Sequence, residues 1–330
     1  QEVVFGKKYS VADGVFHRLG ALLASGAVDG QGPSGLSKSL VDNYLNADGT
    51  FINPKDEKYK DFNEMFKERD ARLLVTVMHS GPDCKYRASS PTNKPMNVRA
   101  YDATGTEDEM KEKNEDIVSP NLNGDGNSKS VTGFHIRLGI DTTYVDNESE
   151  TVVVLFRYAE GLLCYAEAAE ELDLCTDDVL NKTLKPLRER AGVTYVKPTK
   201  ADPNFPFTGL SPVLQEIRRE RRSELALQGF RLDDLMRWAV AGTLKGQDGR
   251  GRGAYLGEDG VLYKSFSPKG RESLKLVLKD NDGWTDPLQQ YLPQGYLFDL
   301  NRDYLLPIPP DELQLNRELK QNPGWGDANE

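Results

Sequence analysis

The chain has 330 residues, of which 38% are hydrophobic and 28% are charged. Its 52 acidic residues outnumber its 42 basic residues, and the net charge of -10 disfavours nucleic-acid binding, which depends on neutralising phosphates. The longest apolar run, TVVVLF from residue 151, is too short to form a transmembrane helix.

The front of the chain predicts loops with a few short regular elements. The segment EVVF at 2–5 has the composition of a short strand. The segment 20–39 is rich in small residues and turn formers, which predicts a long surface loop of the kind that is often functional. The segment 39–50 predicts a short helix ended by the Asp48-Gly49 turn. The segment 61–81 predicts a helix that runs into a strand.

Residues 151–191 predict a helical hairpin. Six apolar residues recur at helical spacing in the first half of this segment: Leu155, Ala159, Leu162, Leu163, Ala166 and Ala169. Cys164 lies among them and is interpreted as a small buried residue. A second helix is predicted from about Asp177 to Ala191, with Gly192 as the residue that ends it. Two such helices resemble one tetratricopeptide hairpin, and no second full copy of the pattern is found in the chain.

The rear of the chain predicts one long helix and one short helix separated by loops. Ser211-Pro212 is an N-cap followed by proline at the first helical position, which predicts a helix over 211–230. The glycine-rich segment 242–260 predicts a loop, and PPDELQLN at 309–316 predicts a short helix. Trp238 and Trp325 are interpreted as packing residues.

The run RRERR at 218–222 raises the question of nucleic-acid binding, and the acidic residues around it argue against that function. Glu216, Glu220 and Glu224 recur every four residues and form a stripe along the predicted helix. Arg219 lies three residues after Glu216, and Glu224 three residues after Arg221, so both arginines can form ion pairs along the helix. Arginine suits such pairing in partly buried positions. The run therefore predicts a structural ion-pair network.

Four segments resemble consecutive signature blocks of the SusD/RagB family: RYAEGLLCYAEAAEEL (157–172), LKPLRERAGV (184–193), EIRRERRSELALQGFRLDDLMRW (216–238) and YLLPIPPDELQLNRELKQNPGW (304–325). Weaker blocks agree in order at 2–5, 41–49, 69–72 and 132–139. The resemblance covers nearly the whole chain but corresponds only to the C-terminal part of longer family members. The chain departs from the family at 232–235, where it has LDDL in place of an aromatic-Asp-Leu run.

The resemblance implies a mainly α fold with tetratricopeptide-like hairpins as scaffold, a long loop-rich ligand-binding region and a few short strands. We expect one domain over 1–330, loop-rich over about 1–150 and helical over about 151–330. Family members are surface lipoproteins of the Bacteroidetes outer membrane that capture glycans, or in some branches peptides. They cap a TonB-dependent transporter and attach to the membrane through a lipid anchor, which this chain does not contain. The family implies neither catalysis nor a cofactor.

Glycan binding predicts aromatic rings at the surface, because an exposed Trp or Tyr can stack on the apolar face of a sugar. Trp284 lies in the turn-rich segment DNDGWTDP, although a lid over a local apolar patch explains it equally well. The other candidates are aromatic residues in predicted loops: Tyr9, Phe16, Tyr44, Tyr86 and Tyr255. The resemblance favours the loops at about 9–50, where Asn43, with Asp13, Asn46 and Asp48, can bind sugar hydroxyls. Asp48 can equally well serve only the turn with Gly49.

The sequence offers few candidate residues for metal binding or catalysis. The segment 119–130 resembles a calcium loop in part, but Thr132 stands where the bidentate glutamate belongs, so we predict no metal site. The three histidines lie far apart in sequence, and no GxSxG or HExxH motif is present. Two alternatives stay open, namely a helical module that binds only another protein and a glycoside hydrolase with an acidic pair.

Overall fold

The computed structural model describes residues 2–19, 35–79, 96–98, 116–118, 122, 130–139, 148–246, 249–266 and 268–326. The chain divides into two compact units, Gln1–Gln228 with Gly251–Pro287 and Gly229–Arg250 with Leu288–Glu330. The boundary between these units does not lie near residue 150, where the sequence predicts a change from loop-rich to helical structure. The loop-rich front and the helical hairpin belong to the same unit.

Helices are the main regular structure of the described residues, as predicted. The strands are β1 (Val3–Lys7), β2 (Met96–Val98), β3 (Asp116–Val118) and β4 (Val153–Arg157). The helices are α1 (Lys38–Val41), α2 (Ala71–Thr76), α3 (Tyr158–Glu171), α4 (Asp177–Lys182), α5 (Leu184–Arg190), α6 (Pro212–Glu224), α7 (Arg231–Arg237), α8 (Val261–Ser265), α9 (Pro268–Leu274) and α10 (Pro310–Leu315). Short 3-10 turns occur at Val11–Asp13, Glu57–Lys60, Glu64–Phe66 and Ala241–Leu244. None of the helices in these ranges is long and apolar enough to cross a membrane.

The strand predicted at the front of the chain is confirmed and pairs with a strand that the sequence did not predict. Strand β1 runs antiparallel to β4, with Val3 opposite Arg157 and Phe5 opposite Phe156. Leu155 therefore lies in β4 and is exposed, so its assignment to the helix was wrong. The β-branched run before it favours a strand once a partner is available. Strands β2 and β3 pair in parallel.

The predicted helical hairpin is confirmed, with two corrections. Helix α3 buries Ala159, Leu163 and Ala166 and packs against α4, α5 and α6. Cys164 is exposed because it follows Leu163 by one residue, about 100° around the helix from the buried stripe. The second helix is interrupted at Thr183 into α4 and α5.

Pro186 explains this interruption. A proline has no N–H to bond the carbonyl four residues earlier, and its ring clashes with that carbonyl. The affected carbonyl is that of Lys182, the last residue of α4. As predicted, Gly192 follows the hairpin in a left-handed conformation, with φ of 71°.

Helix α6 begins as predicted, because the Ser211 side chain accepts a hydrogen bond from the Leu214 N–H at 3.0 Å. It ends at Glu224, earlier than the predicted end at 230. Leu227 and Gly229 have positive φ angles of 61° and 91°, which turn the chain out of the helix. The predicted short helix near the end of the chain is confirmed as α10.

The main apolar core of the first unit lies largely in the part predicted to be loop-rich, residues 1–150. Tyr44, Phe62 and Phe134 are almost fully buried there, and Leu256 and Leu262 pack into the same cluster. The Phe62 and Phe134 rings stack with centroids 5.7 Å apart. Irregular backbone at the front of the chain therefore surrounds a true interior, and many of its aromatic side chains point inward.

The second unit uses its tryptophans for packing, as predicted. Trp238 is buried, and the Arg237 guanidinium lies 4.8 Å from its ring centroid. The Trp325 indole N–H donates to the Leu305 carbonyl at 2.9 Å, and Arg302 lies over its ring.

Candidate functional site

The charged helix α6 is buried in a network of ion pairs. Glu220 is 1% exposed and accepts hydrogen bonds from Arg72 on α2 and from Arg188 on α5. Burial alone raises the pKa of Glu220, but the two guanidinium groups outweigh that effect and hold it below the ordinary value of 4.5. The pKa of Arg188 is correspondingly raised, because Glu220 and Glu216 outweigh the effect of burial. Glu220 is therefore ionised and joins three helices.

A second part of the network lies one turn earlier on α6. Glu216 accepts from Arg188 at 2.6 Å and from Arg219 at 2.8 Å, so the predicted pair of Arg219 with Glu216 is confirmed. Arg219 also pairs with Asp202 at 2.5 Å and lies about 5 Å from the ring of Phe51. All four donors and acceptors are buried. The guanidinium of Arg219 is thus held in place from several sides.

The last turn of α6 ties the hairpin to the first strand. Glu224 pairs with Arg72, Arg157 and Arg190, and the last two also pair with Glu2. Together with the burial of Arg218, Arg219 and Arg221, these contacts confirm that the arginine run is structural. A helix that reads nucleic acid would keep such arginines at the surface.

A small pocket opens beside this network, between the loop at 49–51 and the segment 196–200. Its volume is about 180 Å³. The lining residues are Gly49, Thr50, Phe51, Arg188, Val196, Lys197, Pro198, Thr199, Lys200 and Glu216. The paired Arg188 and Glu216 contribute buried charge to this lining, and Phe51, Val196 and Pro198 contribute apolar surface.

Backbone contacts fix the two loops that form the pocket. The Thr194 N–H donates to the Ala47 carbonyl at 2.8 Å. Gly49 has φ of 82°, and a Cβ there would lie 2.2 Å from the Thr194 carbonyl oxygen. The turn therefore requires glycine at this position, for conformation and for space. Asp48 accepts from the Thr50 N–H at 2.9 Å, which confirms its role in the turn.

Two predicted ligand-binding residues are interior residues. Tyr44 is 0% exposed, its hydroxyl lies 3.0 Å from the Thr76 hydroxyl, and burial raises its pKa to about 12. Asn43 donates to the Arg219 carbonyl at 3.0 Å and to the Ser223 hydroxyl at 2.7 Å. Because these side chains are buried and join the segment 43–44 to α2 and α6, neither can contact a ligand in this structure. We do not retain them as candidates.

Two other candidates contact each other. The rings of Tyr255 and Trp284 meet edge to face, with centroids 5.1 Å apart. Tyr255 is 7% exposed and its hydroxyl donates to Asp259 at 2.5 Å, so it too is an interior residue. Trp284 is half-buried, packs against the apolar core and has the Lys38 ammonium 4.3 Å from its ring centroid. This position fits both predictions for Trp284, namely a cover over a local apolar patch and a contact for the ligand.

The remaining described candidates lie in the turn that follows β1. Phe16 is 41% exposed, and Tyr9 is half-buried with its ring 4.5 Å from that of His17. The His17 Nε2 is 2.8 Å from the Thr151 carbonyl oxygen, which anchors this turn beside β4. Tyr86 and most of the calcium-like segment 119–130 lie outside the described residues. In the described part of the chain, no three His, Cys, Asp or Glu residues are placed to hold a metal ion.

Sequence reasoning missed the pocket because its two sides are far apart in the chain. Phe51, Lys197 and Lys200 have no motif in common, and more than a hundred residues separate the first from the other two. The one local signal was the Asp48-Gly49 turn, which places Phe51 at the pocket.

The family model of the SusD family matches residues 1–325. The chain is 29% identical over 181 residues to the SusD-like protein P2 of Formosa agariphila, a match that covers 54% of this chain and 27% of that protein. It is similar to a SusD-like carbohydrate binding protein of Bacteroides fragilis, with a TM-score of 0.64, 24% identity and coverage of 97% of this chain and 54% of that one. A second SusD-like protein of B. fragilis has a TM-score of 0.62 and 19% identity, with 98% and 54% covered.

The chain thus spans about half the length of these solved structures. The structural likeness shows a common fold, and the family model shows descent over nearly the full chain. On this ground, the chain belongs to the SusD family.

Proposed function

We propose that this protein binds glycans without catalysis at the bacterial cell surface and delivers them to a TonB-dependent outer-membrane transporter. The observation that carries the proposal is the SusD-family match over residues 1–325. A solved structure with the same fold is described as a SusD-like carbohydrate binding protein, which supports a glycan as the ligand. Attachment to the outer membrane through a lipid anchor is part of the same proposal.

Surface exposure selects the residues that we propose to contact the glycan. Among the described candidates, Tyr9, Phe16 and Trp284 retain accessible ring surface, whereas Asn43, Tyr44 and Tyr255 are buried. Tyr9 and Phe16 lie on a turn tied to β4 through His17, so their rings do not have to be ordered when a ligand binds. A preordered aromatic surface lowers the entropic cost of binding. Tyr86 remains a proposed contact in the part of the chain that the structure does not describe.

The three glutamates of α6 do not form the acid pair of a glycoside hydrolase. A glycoside hydrolase needs one protonated carboxyl group as general acid. The pKa of Glu220 is lowered by Arg72 and Arg188, and its neighbours Glu216 and Glu224 are bound by arginines. These three acids therefore act as ion-pair partners within the scaffold.

Isothermal titration calorimetry against a panel of neutral and acidic polysaccharides tests the proposal. We expect at least one polysaccharide to bind, with no release of new reducing ends on prolonged incubation. Replacing Tyr9 and Phe16 together by alanine should weaken that binding on the order of tenfold, because a buried aromatic contact contributes more than about 1 kcal/mol. Tyr158→Ala is the matched control, since Tyr158 is 56% exposed and lies on α3 outside the predicted ligand loops.

Three outcomes would replace the proposal by its alternatives. Firm binding of peptides with no glycan binding would indicate the peptide-binding branch of the family. Co-purification of a protein partner that survives the Tyr9 and Phe16 substitutions, again with no glycan bound, would indicate a helical interaction module. Release of reducing ends that stops when one carboxylate pair is replaced would indicate a hydrolase.

A further inference from the structure

The pocket between 49–51 and 196–200 has the size of one sugar ring. Its volume of about 180 Å³ slightly exceeds the roughly 150 Å³ of engineered cavities that hold benzene. Phe51, Val196 and Pro198 supply apolar surface, and the hydroxyl of Thr199 supplies a hydrogen-bonding group, whereas the Thr50 hydroxyl already donates to Asp48. Apolar walls with a few polar groups are the usual composition of small-molecule sites.

One side of the pocket is held rigid because Arg188 and Glu216 belong to the ion-pair network. Phe51 lies against the guanidinium of Arg219, which is held by Glu216 and Asp202. The segment just before the opposite wall is tied to the turn just before 49–51, because the Thr194 N–H donates to the Ala47 carbonyl. The site is therefore formed before a ligand arrives.

The charge of the pocket is opposite to that of the chain. Three cationic residues, Arg188, Lys197 and Lys200, and one carboxylate, Glu216, line it, whereas the whole chain has a net charge of -10. The carboxylate is already bound by two arginines. The Lys197 pair with Asp177 is solvent-exposed, and such pairs contribute little. Lys200 forms no ion pair within the described part of the chain.

Arg188 adds a buried donor. Its Nε donates to Glu220 and its Nη2 to Glu216, and no hydrogen bond from Nη1 is found among the described residues. Arg188 is 1% exposed and lines the pocket. Because Glu216 and Glu220 already meet the charge of Arg188, this residue offers a ligand one fixed N–H donor and no uncompensated charge.

From this combination we propose that the pocket binds one anionic sugar residue of a glycan, carrying a carboxylate or a sulfate ester. Phe51 and Pro198 contact the ring, and Lys197 and Lys200 bind the charged group. The inference rests on the proposed glycan-binding function and adds to it the class of sugar and a second place of contact, separate from Tyr9 and Phe16.

Calorimetry on the full chain with two pairs of oligosaccharides tests this inference. One pair is oligogalacturonate and its methyl ester, and the other is a sulfated galactan oligosaccharide and its desulfated form. Within at least one pair we expect the charged member to bind ten times more tightly or better, with an affinity that falls as salt rises. The pair that shows the preference identifies the carboxylate or the sulfate as the recognised group.

Two variants test whether the preference for the charged oligosaccharide arises in this pocket. Lys197→Gln with Lys200→Gln should remove it, and Thr199→Trp, which fills the pocket from its exposed rim, should weaken the charged ligand tenfold or more. The control is Lys182→Gln with Lys185→Gln, because both lysines are exposed and ion-paired on the nearby helices α4 and α5. Equal binding of charged and neutral members, or equal losses in the lysine and control variants, would overturn the inference while the glycan-binding function stands. If no glycan binds at all, both fail.

Discussion

Charged side chains do two different things on the two sides of one pocket. On the α6 side, Arg188 and Glu216 are buried and their charges are met by other side chains. On the rim, Lys197 and Lys200 are exposed and have at most one surface partner. A charged side chain therefore stabilises the fold on the α6 side of the pocket, and it is available to a ligand on the rim. Composition cannot separate these uses, because burial and the number of partners decide between them.

The largest expected loss of stability comes from removing one carboxylate of the buried ion-pair network. Glu220→Gln leaves Arg72 and Arg188 short of a counter-charge, so we expect a loss of about 3 to 5 kcal/mol in the free energy of unfolding. Urea denaturation measures it. Glu189→Gln is the control, because Glu189 is exposed and its pair with Lys185 is 3.9 Å long. Equal stability of the two variants would contradict a structural role for the network.

Acid should reduce the stabilisation that the Glu220 carboxylate provides. The pKa of Glu220 is lowered in the folded protein, so the unfolded chain takes up the proton first. The stabilisation from Glu220 is complete above about pH 4.5 and is lost as the pH falls through the folded pKa. We therefore expect the difference in unfolding free energy between wild type and Glu220→Gln to shrink below about pH 4.5. A difference that stays constant down to about pH 3 would show that Glu220 does not titrate as described.

Arginine and lysine should not be interchangeable in the interior, although they should be on the rim. Arg219→Lys keeps the charge but loses the planar fork that reaches Glu216, Asp202 and the Asn43 carbonyl. We expect a loss of about 2 kcal/mol, the scale of one hydrogen bond to a charged group. Lys200→Arg should leave stability unchanged within about 0.5 kcal/mol. Thermal unfolding of the two variants compares them, and similar shifts would remove the contrast between the two regions.

The smallest effects should separate the interior aromatic residues from the exposed ones. Tyr44→Phe removes the contact with the Thr76 hydroxyl and should cost about 1 kcal/mol with no change in glycan affinity. Phe16→Ala should change stability by no more than about 0.5 kcal/mol and weaken glycan binding. Paired denaturation and calorimetry measure both quantities. Loss of affinity in Tyr44→Phe alone would return Tyr44 to the ligand site.

Local chemistry determined much of the scaffold. The Ser211-Pro212 start of α6, the left-handed Gly192 and the turn at Asp48-Gly49 follow from side-chain capping and backbone conformation within a few residues. The spacing of glutamates and arginines likewise indicated ion pairs, since neighbours on a helix are set by its period.

Tertiary structure alone decided which aromatic residues are exposed and where the pocket lies. Tyr44 and Tyr255 were both candidates for the ligand surface, but Tyr44 lies within the core formed by 36–77 with 254–274, and Tyr255 beside that core is 7% exposed. The pocket joins Phe51 to Lys200 across nearly 150 residues of sequence, and its floor adds charges from α5 and α6. Burial depends on contacts between distant segments, and no periodicity or capping rule within one segment contains that information.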